Sequence, residues 1–330
     1  MEIVSGIHQI KVPMPDNPLG YLNCYLVEGK EGWLMLDTGW NTDEAFEALQ
    51  KGVKDIGINL TDVATIVITH VHPDHFGLAG RIKHVSPKTE LLTHQWESSM
   101  IESRYLRMAG LLEEVSGMLR RHGVPPLNLS ALESASMPAL RFVTVTLPDR
   151  VLFGGEIIST GVYDLEVIWT PGHSPGHICL YEPVNRLLFS GDHILYDISP
   201  NISYNVQTGD NPLGDYLHAL HKLENLPVTT ALPAHGDIFK DVPGRIKQIL
   251  AHHQQRFGEI IKAVTGEPHT AWEISPRVTW DNGRTSWEQL PPLQKRMAVM
   301  ETIAHLDYMR WEGRVQRITK DGLVTYIARG

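Results

Sequence analysis

Hydrophobic positions in the first ninety residues switch between short continuous runs and helical spacing. The apolar runs at Tyr21–Val27 and Trp33–Leu36 predict two adjacent strands joined by a hairpin turn. Between residues 42 and 54, apolar positions recur every three or four residues behind an acidic first turn, which predicts a helix. The β-branched run at 64–69 is too short for a helix and predicts a buried strand. This strand ends abruptly in a histidine-rich loop.

A longer stretch of helical periodicity covers residues 96–119. Its apolar side chains recur mostly at intervals of three and four, which indicates an amphipathic helix or a helix pair broken near Gly110. We interpret the stretch as part of a helical insertion at about residues 95–138 that caps a functional site. Ordinary packing of a helix on the core would produce the same apolar stripe.

The rest of the chain first repeats the mixture of strands and helices and then becomes mainly helical. The expected strands lie at residues 141–147, 165–169, 178–181, 186–189 and 228–232, and a leucine-rich helix at 213–223. Two β-rich halves flanked by helices predict a layered α/β body over residues 1–242. Beyond it, three helical stretches and a hairpin turning at Asp321-Gly322 are typical of a small winged-helix-like domain, residues 243–330.

The composition is that of an ordinary globular protein. The 330 residues are 42% hydrophobic and 20% charged, which excludes a disordered chain, a collagen-like repeat and a coiled coil. No apolar run approaches the roughly 18 residues of a membrane span, and the N-terminus lacks the pattern of a secretory signal. We therefore expect a cytoplasmic protein with no membrane partner. Cys24 and Cys179 are too few for a disulfide framework and are expected to be reduced core residues.

The strongest chemical signal is the segment from Thr69 to His75, directly after the predicted buried strand. It holds His70, His72, Asp74 and His75, and so many polar side chains in one short loop are difficult to satisfy by packing alone. Side chains two residues apart in an extended loop share a face, so His70 and His72 can converge on one metal ion. The following turn could direct Asp74 and His75 toward a second ion.

Further metal ligands are expected from other strand ends, because Zn²⁺ takes about four nitrogen and oxygen ligands and one loop rarely supplies them all. Three candidates follow predicted strands: His173, Asp192 and His235. Glycine and proline stand beside each of them, as expected where an irregular backbone presents a ligand. By contrast, His177 and His193 lie next to these candidates but are expected to have structural roles.

The order of these residues along the chain resembles the metallo-β-lactamase superfamily. The resemblance covers residues 1 to about 242 and implies an αββα sandwich with metal ions at one edge of its two sheets. It implies that one ion is held by His70, His72 and His173, that the other is held by Asp74, His75 and His235, and that Asp192 bridges both. The Asp37-Thr38-Gly39 turn matches the early aspartate of that family, which implies that Asp37 supports a ligand rather than binding metal itself.

Hydrolysis follows from such a pair of ions. Two divalent cations roughly 3.5 to 4 Å apart lower the pKa of a shared water toward neutrality, so that a bridging hydroxide can attack a carbonyl carbon or a phosphorus atom. Asp74 could orient this nucleophile and shuttle a proton, which makes it the candidate catalytic side chain. Zn is the expected metal, with Fe or Mn as alternatives.

Within the superfamily, the ligand pattern is similar to the glyoxalase II, lactonase and RNase Z type. We expect a small ester, thioester or lactone as substrate, with Tyr196 and Tyr204 lining its pocket or serving as ordinary aromatic packing. An RNA phosphodiester is the alternative, but the tail carries a net charge of only +4 against −9 for the whole chain, with no dense basic stripe. A catalytically silent binding protein is a third hypothesis. The sequence does not decide between a monomer and a homodimer.

Overall fold

Two β-sheets lie at the centre of the fold, and the computed structural model describes residues 1–280 and 285–329. The first sheet has seven strands in chain order, β1 to β7: Glu2–Val4, Ile7–Pro13, Tyr21–Val27, Trp33–Leu36, Val63–Ile68, Glu90–His94 and Arg150–Leu152. Its first four strands are antiparallel, and β4 to β7 pair in parallel. The second sheet has the order β12-β11-β10-β9-β8, with strands at Ile157–Ser159 (β8), Asp164–Trp169 (β9), Ile178–Glu182 (β10), Leu187–Gly191 (β11) and Thr230–Pro233 (β12).

Helices cover the outer faces of both sheets. The helices that follow strands of the first sheet are α1 (Asp43–Asp55), α2 (Pro73–Phe76) and α3 (Ala79–Val85). The inserted segment forms α4 (Gln95–Ile101), a π-helix (Glu102–Leu106), α5 (Met108–Arg121), α6 (Pro126–Glu133) and a 3-10 helix (Met137–Phe142). The remaining helices are α7 (Pro212–Glu224), α8 (Val242–Ala263), α9 (Ala271–Ile274) and α10 (Pro292–Trp311), and the chain continues into a hairpin of β13 (Val315–Lys320) and β14 (Leu323–Ala328).

Three hydrophobic layers show that this is an αββα sandwich. On β5, Val67 packs between the two sheets while Ile66 and Ile68 pack under α1 and α3. On β9, Val167 faces the first sheet and Ile168 faces the helices on the other side. Neighbouring side chains of a strand point to opposite faces, so these strands must be apolar at consecutive positions to be buried on both sides. This confirms the layered α/β body predicted from the sequence.

One predicted strand is wrong. Residues 141–147 form no strand; the segment leaves the 3-10 helix Met137–Phe142 as irregular chain. Val143 and Val145 pack against the core on the outer side of the first sheet, and the Thr144 amide donates to the Gly77 carbonyl. The apolar run is therefore explained by burial against the segment around α2 and α3 and not by pairing within a sheet.

The break in the inserted helix lies close to the predicted position, at Arg107 just before Gly110. The chain leaves α-helical geometry at the π-helix, before Gly110, and Arg107 has a non-helical backbone. The wider turn directs the Tyr105 hydroxyl to the Val71 carbonyl in the histidine-rich loop. Single π-turns often mark functional positions in helices. This one places Arg104 and Tyr105 beside the histidine-rich loop.

The C-terminal segment packs into the outer helical layer of the second sheet. One hydrophobic cluster contains Ile168 and Leu188 of the sheet together with Phe257, Ile303 and Tyr326. Helix α10 is buried at every position from Ala298 to Asp307. The sequence of helices and hairpin expected for a winged helix is present, but its core is continuous with that of the sandwich, and the domain boundary at 242 stays a prediction. Among the described residues, no helix is long and apolar enough to cross a membrane.

We predict that Ile303→Ala lowers the free energy of unfolding of the whole chain by about 2–5 kcal/mol, because it leaves a cavity in the shared core. The check is urea unfolding followed by far-UV circular dichroism and tryptophan fluorescence. Leu293→Ala, on the same helix but 39% exposed, should change stability by less than about 0.5 kcal/mol. Two separate transitions, with only the second shifted by Ile303→Ala, would contradict the shared core.

The same core predicts a loss of stability in acid. Burial, aided by Arg256, lowers the pKa of His305 to about 3, while an unfolded histidine titrates near pH 6.5. The neutral folded form is thus fully stabilised above pH 6.5 and loses about 1.4 kcal/mol per pH unit below it. His305→Gln keeps a donor and an acceptor for Glu301 and His253 and should flatten this dependence between pH 6.5 and 5. Equal slopes for both proteins would contradict the assignment.

Candidate metal centre

The predicted ligands all follow strands whose ends meet at one edge of the sandwich. His70 and His72 follow β5, and His173, Asp192 and His235 follow β9, β11 and β12. In the second sheet, β9 and β11 are both antiparallel to β10 and β11 is parallel to β12, so these three strands end at the same edge. Sheet topology therefore brings together side chains that are far apart in the sequence.

Seven side chains form a largely buried cluster with three groups of donors: two share no member, and the third, His70, His75 and Asp192, overlaps both. Ligand atoms of His70, His72 and His173 lie within 4.8 Å of one another, and so do those of Asp74, His75 and His235. In the first group, His72 Nδ1 is 2.9 Å from His70 Nε2 and 3.1 Å from His173 Nε2. In the second, His235 Nε2 is 3.3 Å from Asp74 Oδ2. Ligands of a tetrahedral zinc ion with bonds of about 2.0–2.1 Å are roughly 3.3 Å apart, so both groups have the spacing of a metal site.

Asp192 lies between the two groups. Its Oδ2 is 3.5 Å from His75 Nε2 and 3.5 Å from His173 Nε2, and its Oδ1 is 3.6 Å from His235 Nε2. Gly191 before it has a φ of +51°, and a Cβ there would meet His177 Nε2 at 2.5 Å. The His177 ring accepts a hydrogen bond from the Asp192 amide at 3.1 Å. This is consistent with the structural role expected for His177, which holds the turn that presents Asp192.

Hydrogen bonds on the far side of three rings leave one nitrogen of each free for a cation. The Nδ1 atoms of His75, His173 and His235 contact Asp37 Oδ2 at 2.7 Å, the Asn201 carbonyl at 3.0 Å and the Tyr21 carbonyl at 2.9 Å. An Nδ1–H that donates to an oxygen leaves Nε2 as a lone pair. Nε2 of His75 and His235 and Oδ1 of Asp192 are buried without a hydrogen-bond partner among the described residues. The donor set therefore fits metal ions.

Asp37 contacts the cluster from outside, in the position that the family resemblance implied. It has a φ of +56° in the Asp-Thr-Gly turn after β4 and does not join either ligand group. Its carboxylate accepts from the Thr69 amide and the Thr69 hydroxyl, each at 2.8 Å, and contacts His75 Nδ1. One carboxylate thus fixes both the start of the histidine-rich loop and the orientation of a ligand in it.

The pKa shifts of the histidines differ between the two groups: lowered for His70 in the first and raised for His75 in the second. Burial and the neighbouring histidines hold the pKa of His70 well below its usual value. Burial also disfavours the charged form of His75, but Asp37, Asp192 and Asp74 outweigh it and raise its pKa well above normal. Burial opposes ionisation of Asp74, yet His75 and His235 lower its pKa to about 2. Ionised carboxylates next to imidazole nitrogens are the state in which these side chains bind cations.

Sequence reasoning missed Glu97, a fully buried carboxylate in α4. Its Oε2 accepts from the Val71 amide at 2.8 Å, and its Oε1 accepts from the Gly176 amide at 2.8 Å and from the Ser174 hydroxyl. It therefore joins the loop that carries His70 and His72 to the loop that carries His173. The signal was present, because Glu97 occupies a core position of a helix, one turn before the buried Ile101.

Neither predicted substrate residue, Tyr196 or Tyr204, belongs to the ligand cluster or lines the cavity beside it. Tyr196 is 48% exposed, lies beside Gly236 and has its ring 5.8 Å from that of Phe239. Tyr204 packs at the rim of the core on the second sheet and its amide donates to the Met300 carbonyl. His193 is buried between His177 and Tyr216. Substrate contact by either tyrosine stays a prediction.

A cavity of about 230 Å³ opens beside the ligands. Its wall includes His72 and Pro73 of the histidine-rich loop, and apolar residues of the inserted helices form another side: Met108, Leu111, Leu112 and Val115. Residues 205–207 and α10 complete it. The inserted segment therefore lines one side of a pocket at the site, while Met118 and Leu119 of the same helix pack into the core, so both explanations of the apolar stripe hold in part.

Comparison with known proteins agrees with this geometry. The family model described as the metallo-beta-lactamase superfamily matches residues 17–235. The probable metallo-hydrolase YqjP of Bacillus subtilis is 27% identical over 320 residues, which cover 92% of this chain and 94% of that protein. Crystal structures of a metallo-beta-lactamase family protein from Thermus thermophilus and a beta-lactamase domain protein from Burkholderia ambifaria share 29% and 28% identity, each with a TM-score of 0.83. They cover 99% and 100% of this chain, and this chain covers 100% and 94% of them, so the likeness includes the C-terminal segment.

We predict that Glu97→Gln weakens metal binding by about tenfold to a hundredfold, because an amide nitrogen would face the donors that now hold two ligand loops together. The check is a chelator-competition titration with zinc, with circular dichroism to confirm folding. Glu102→Gln, in the next turn at the surface, also removes one negative charge but should leave affinity unchanged. An unchanged affinity in Glu97→Gln would show that the two loops keep their positions without this carboxylate.

Proposed function

Since the chain belongs to the metallo-β-lactamase superfamily and is a metal-dependent hydrolase, we propose that it binds two divalent cations and cleaves a small ester, thioester or lactone. The observation that carries the binuclear proposal is the pair of donor groups with Asp192 between them. His70, His72 and His173 would hold one cation, Asp74, His75 and His235 the other, and Asp192 both. Each group supplies three donors without Asp192, so each can hold a cation of its own, and this is why we assign two cations rather than one.

The donor types support zinc, with iron or manganese as alternatives. The groups contain only imidazole nitrogens and carboxylate oxygens. Imidazole suits Zn and Fe, and carboxylate suits Mn, whereas thiolates would favour copper(I) or an iron–sulfur centre. Both cysteines are buried in hydrophobic clusters: Cys24 in the core under α1, Cys179 in the core on the second sheet.

When bound here, divalent cations would lower the pKa of water and stabilise negative charge on a carbonyl oxygen. The chain's own contribution is positioning and proton transfer. The Asp74 side chain is 17% exposed, against 10% for Asp192 and 2% for Asp37, and it follows Pro73 in the cavity wall. We assign Asp74 to orient the attacking hydroxide and to take up its proton as the hydroxide oxygen bonds to the carbonyl carbon. The same proton then passes to the alkoxide or thiolate that leaves when the C–O or C–S bond breaks.

Two observations favour a small substrate over RNA. The cavity at the site is smaller than the roughly 300–1,000 Å³ typical of drug-sized ligands, and many of its lining residues are apolar. A winged helix that reads nucleic acid presents one face of a helix to a groove. Helix α10 instead has no exposed position between Ala298 and Asp307, so its central turns cannot serve as such a face.

We predict that the zinc-replete protein hydrolyses a small neutral 4-nitrophenyl ester or thioester with a kcat/KM at least about a hundredfold above that for bis-p-nitrophenyl phosphate. Asp192→Ala should lose both metal and turnover while keeping its circular dichroism, because it removes the carboxylate between the two groups. Asp164→Ala, an exposed carboxylate at the opposite end of β9, is the matched control and should keep both.

Metal content by atomic emission and turnover are measured on the same samples. Faster phosphodiester cleavage with salt-sensitive RNA binding would favour a nuclease. Less than one ion per chain and no turnover on any substrate would instead indicate a silent binding protein. Full activity and metal content in Asp192→Ala would reject the ligand assignment.

A further inference from the structure

Two arginines line the cavity beside the predicted metal ligands, and neither has an acidic partner in the part of the chain that the structure describes. Arg104 comes from the π-helix of the cap, and Arg296 comes from α10. No carboxylate oxygen lies within 4.0 Å of either guanidinium among residues 1–280 and 285–329. Two positive charges in the wall of a largely apolar cavity are costly unless something compensates them.

The Arg296 guanidinium is held in place but not neutralised. Its Nη1 donates to the carbonyls of Leu132 at 3.4 Å and Glu133 at 3.2 Å, at the C-terminal end of α6. Its Nε is buried without a partner in the described part of the chain. Burial lowers the pKa of Arg296 to about 10, so the group still carries its charge at neutral pH. The helix end fixes the plane of the guanidinium and leaves hydrogen-bonding capacity for a ligand.

Arg104 is fixed in a similar way. Its Nε donates to Gln207 Oε1 at 2.8 Å, and the Gln207 amide donates to the Ser103 hydroxyl at 2.7 Å. The two terminal nitrogens have no hydrogen-bond partner among the described residues. The inserted helices and the loop after Asp192 thus orient the Arg104 guanidinium, and its two terminal nitrogens remain available to a ligand.

We propose that this cavity selects a substrate with an anionic group, a carboxylate or a phosphate, at the end of a short apolar chain away from the scissile bond, and that Arg296 binds this group with help from Arg104. This inference rests on the proposed hydrolase function. The apolar wall from Met108 to Val115 suits the chain, and His72 in the same wall places the reacting carbonyl at the metal ligands. Glu133 also lines the cavity, but two cations against one carboxylate leave it net positive.

The test compares three 4-nitrophenyl esters on the zinc-replete full-length protein: a neutral pentanoate, the glutarate half-ester and a chain of the same length ending in phosphate. We expect the wild type to show a KM for one anionic ester about tenfold to a hundredfold below that for the neutral one, as for a charge-assisted hydrogen bond. The anion with the lower KM identifies the natural headgroup. Arg296→Gln should abolish this preference, and Arg104→Gln should reduce it.

Two further variants test the sign of the effect. Glu133→Gln removes the opposing charge and should widen the preference for the anionic ester. Arg107→Gln removes one positive charge from the same cap, at a side chain that is 79% exposed and outside the cavity wall, and should leave the preference unchanged. Equal KM values for neutral and anionic esters in the wild type, or a preference that survives in a folded Arg296→Gln protein, would overturn the proposal.

Failure of the proposed function is separable from failure of this inference. If no ester is hydrolysed, calorimetric titration of the zinc-replete protein with glutarate and with propyl phosphate decides the matter. Binding that is lost in Arg296→Gln but kept in Arg107→Gln would support the anion subsite without the esterase. Absence of such binding would overturn the subsite as well.

Discussion

The common edge at which the strands of two stacked sheets end is the constraint on which this molecule depends. Five imidazoles and two carboxylates are useful only if they meet within a few ångströms, and the chain supplies them from positions 70 to 235. Hydrophobic layers on both faces of both sheets fix the strands. Because the strands are fixed from both sides, the loops at their ends can be polar, tightly turned and rich in glycine without losing their positions.

The C-terminal helices contribute directly to that edge. The Asn201 carbonyl that contacts His173 Nδ1 belongs to a residue whose side-chain amide donates to Glu301 of α10. Glu301 is in turn paired with Arg256 of α8 at 3.0 Å, and both side chains are buried. A second arginine of α8, Arg245, donates to the carbonyls of Leu195 and Ile198 in the loop after Asp192. Buried polar contacts of this kind specify one position for the loop after Asp192. The helices that make these contacts can do so because their core is shared with that of the sandwich.

Local patterns predicted the parts of the structure that local physics determines. Short apolar and β-branched runs identified most of the central strands, and the histidine spacing with its later partners identified the cluster that the structure brings together. The strand expected at 141–147 was wrong because an apolar run reports burial but not the partner of its backbone. Glu97 was missed because its three donors lie in two loops that only the tertiary fold brings to α4. The cavity could not be predicted, since Arg104 and Arg296 line one cavity only when α10 packs against the inserted helices.

The ligand cluster and the cavity are built from largely different parts of the chain. The ligands stand on strand ends, where a shift of one residue would turn a side chain to the other face, so the donor groups tolerate little change. Apart from His72 and Pro73, the cavity wall is made of the inserted helices, the loop at 205–207 and one side of α10, which lie outside both sheets. Side chains there can change without moving a strand. The predicted metal ligands therefore stand on the sandwich, while the two guanidiniums of the proposed anion subsite belong to the segments added to it.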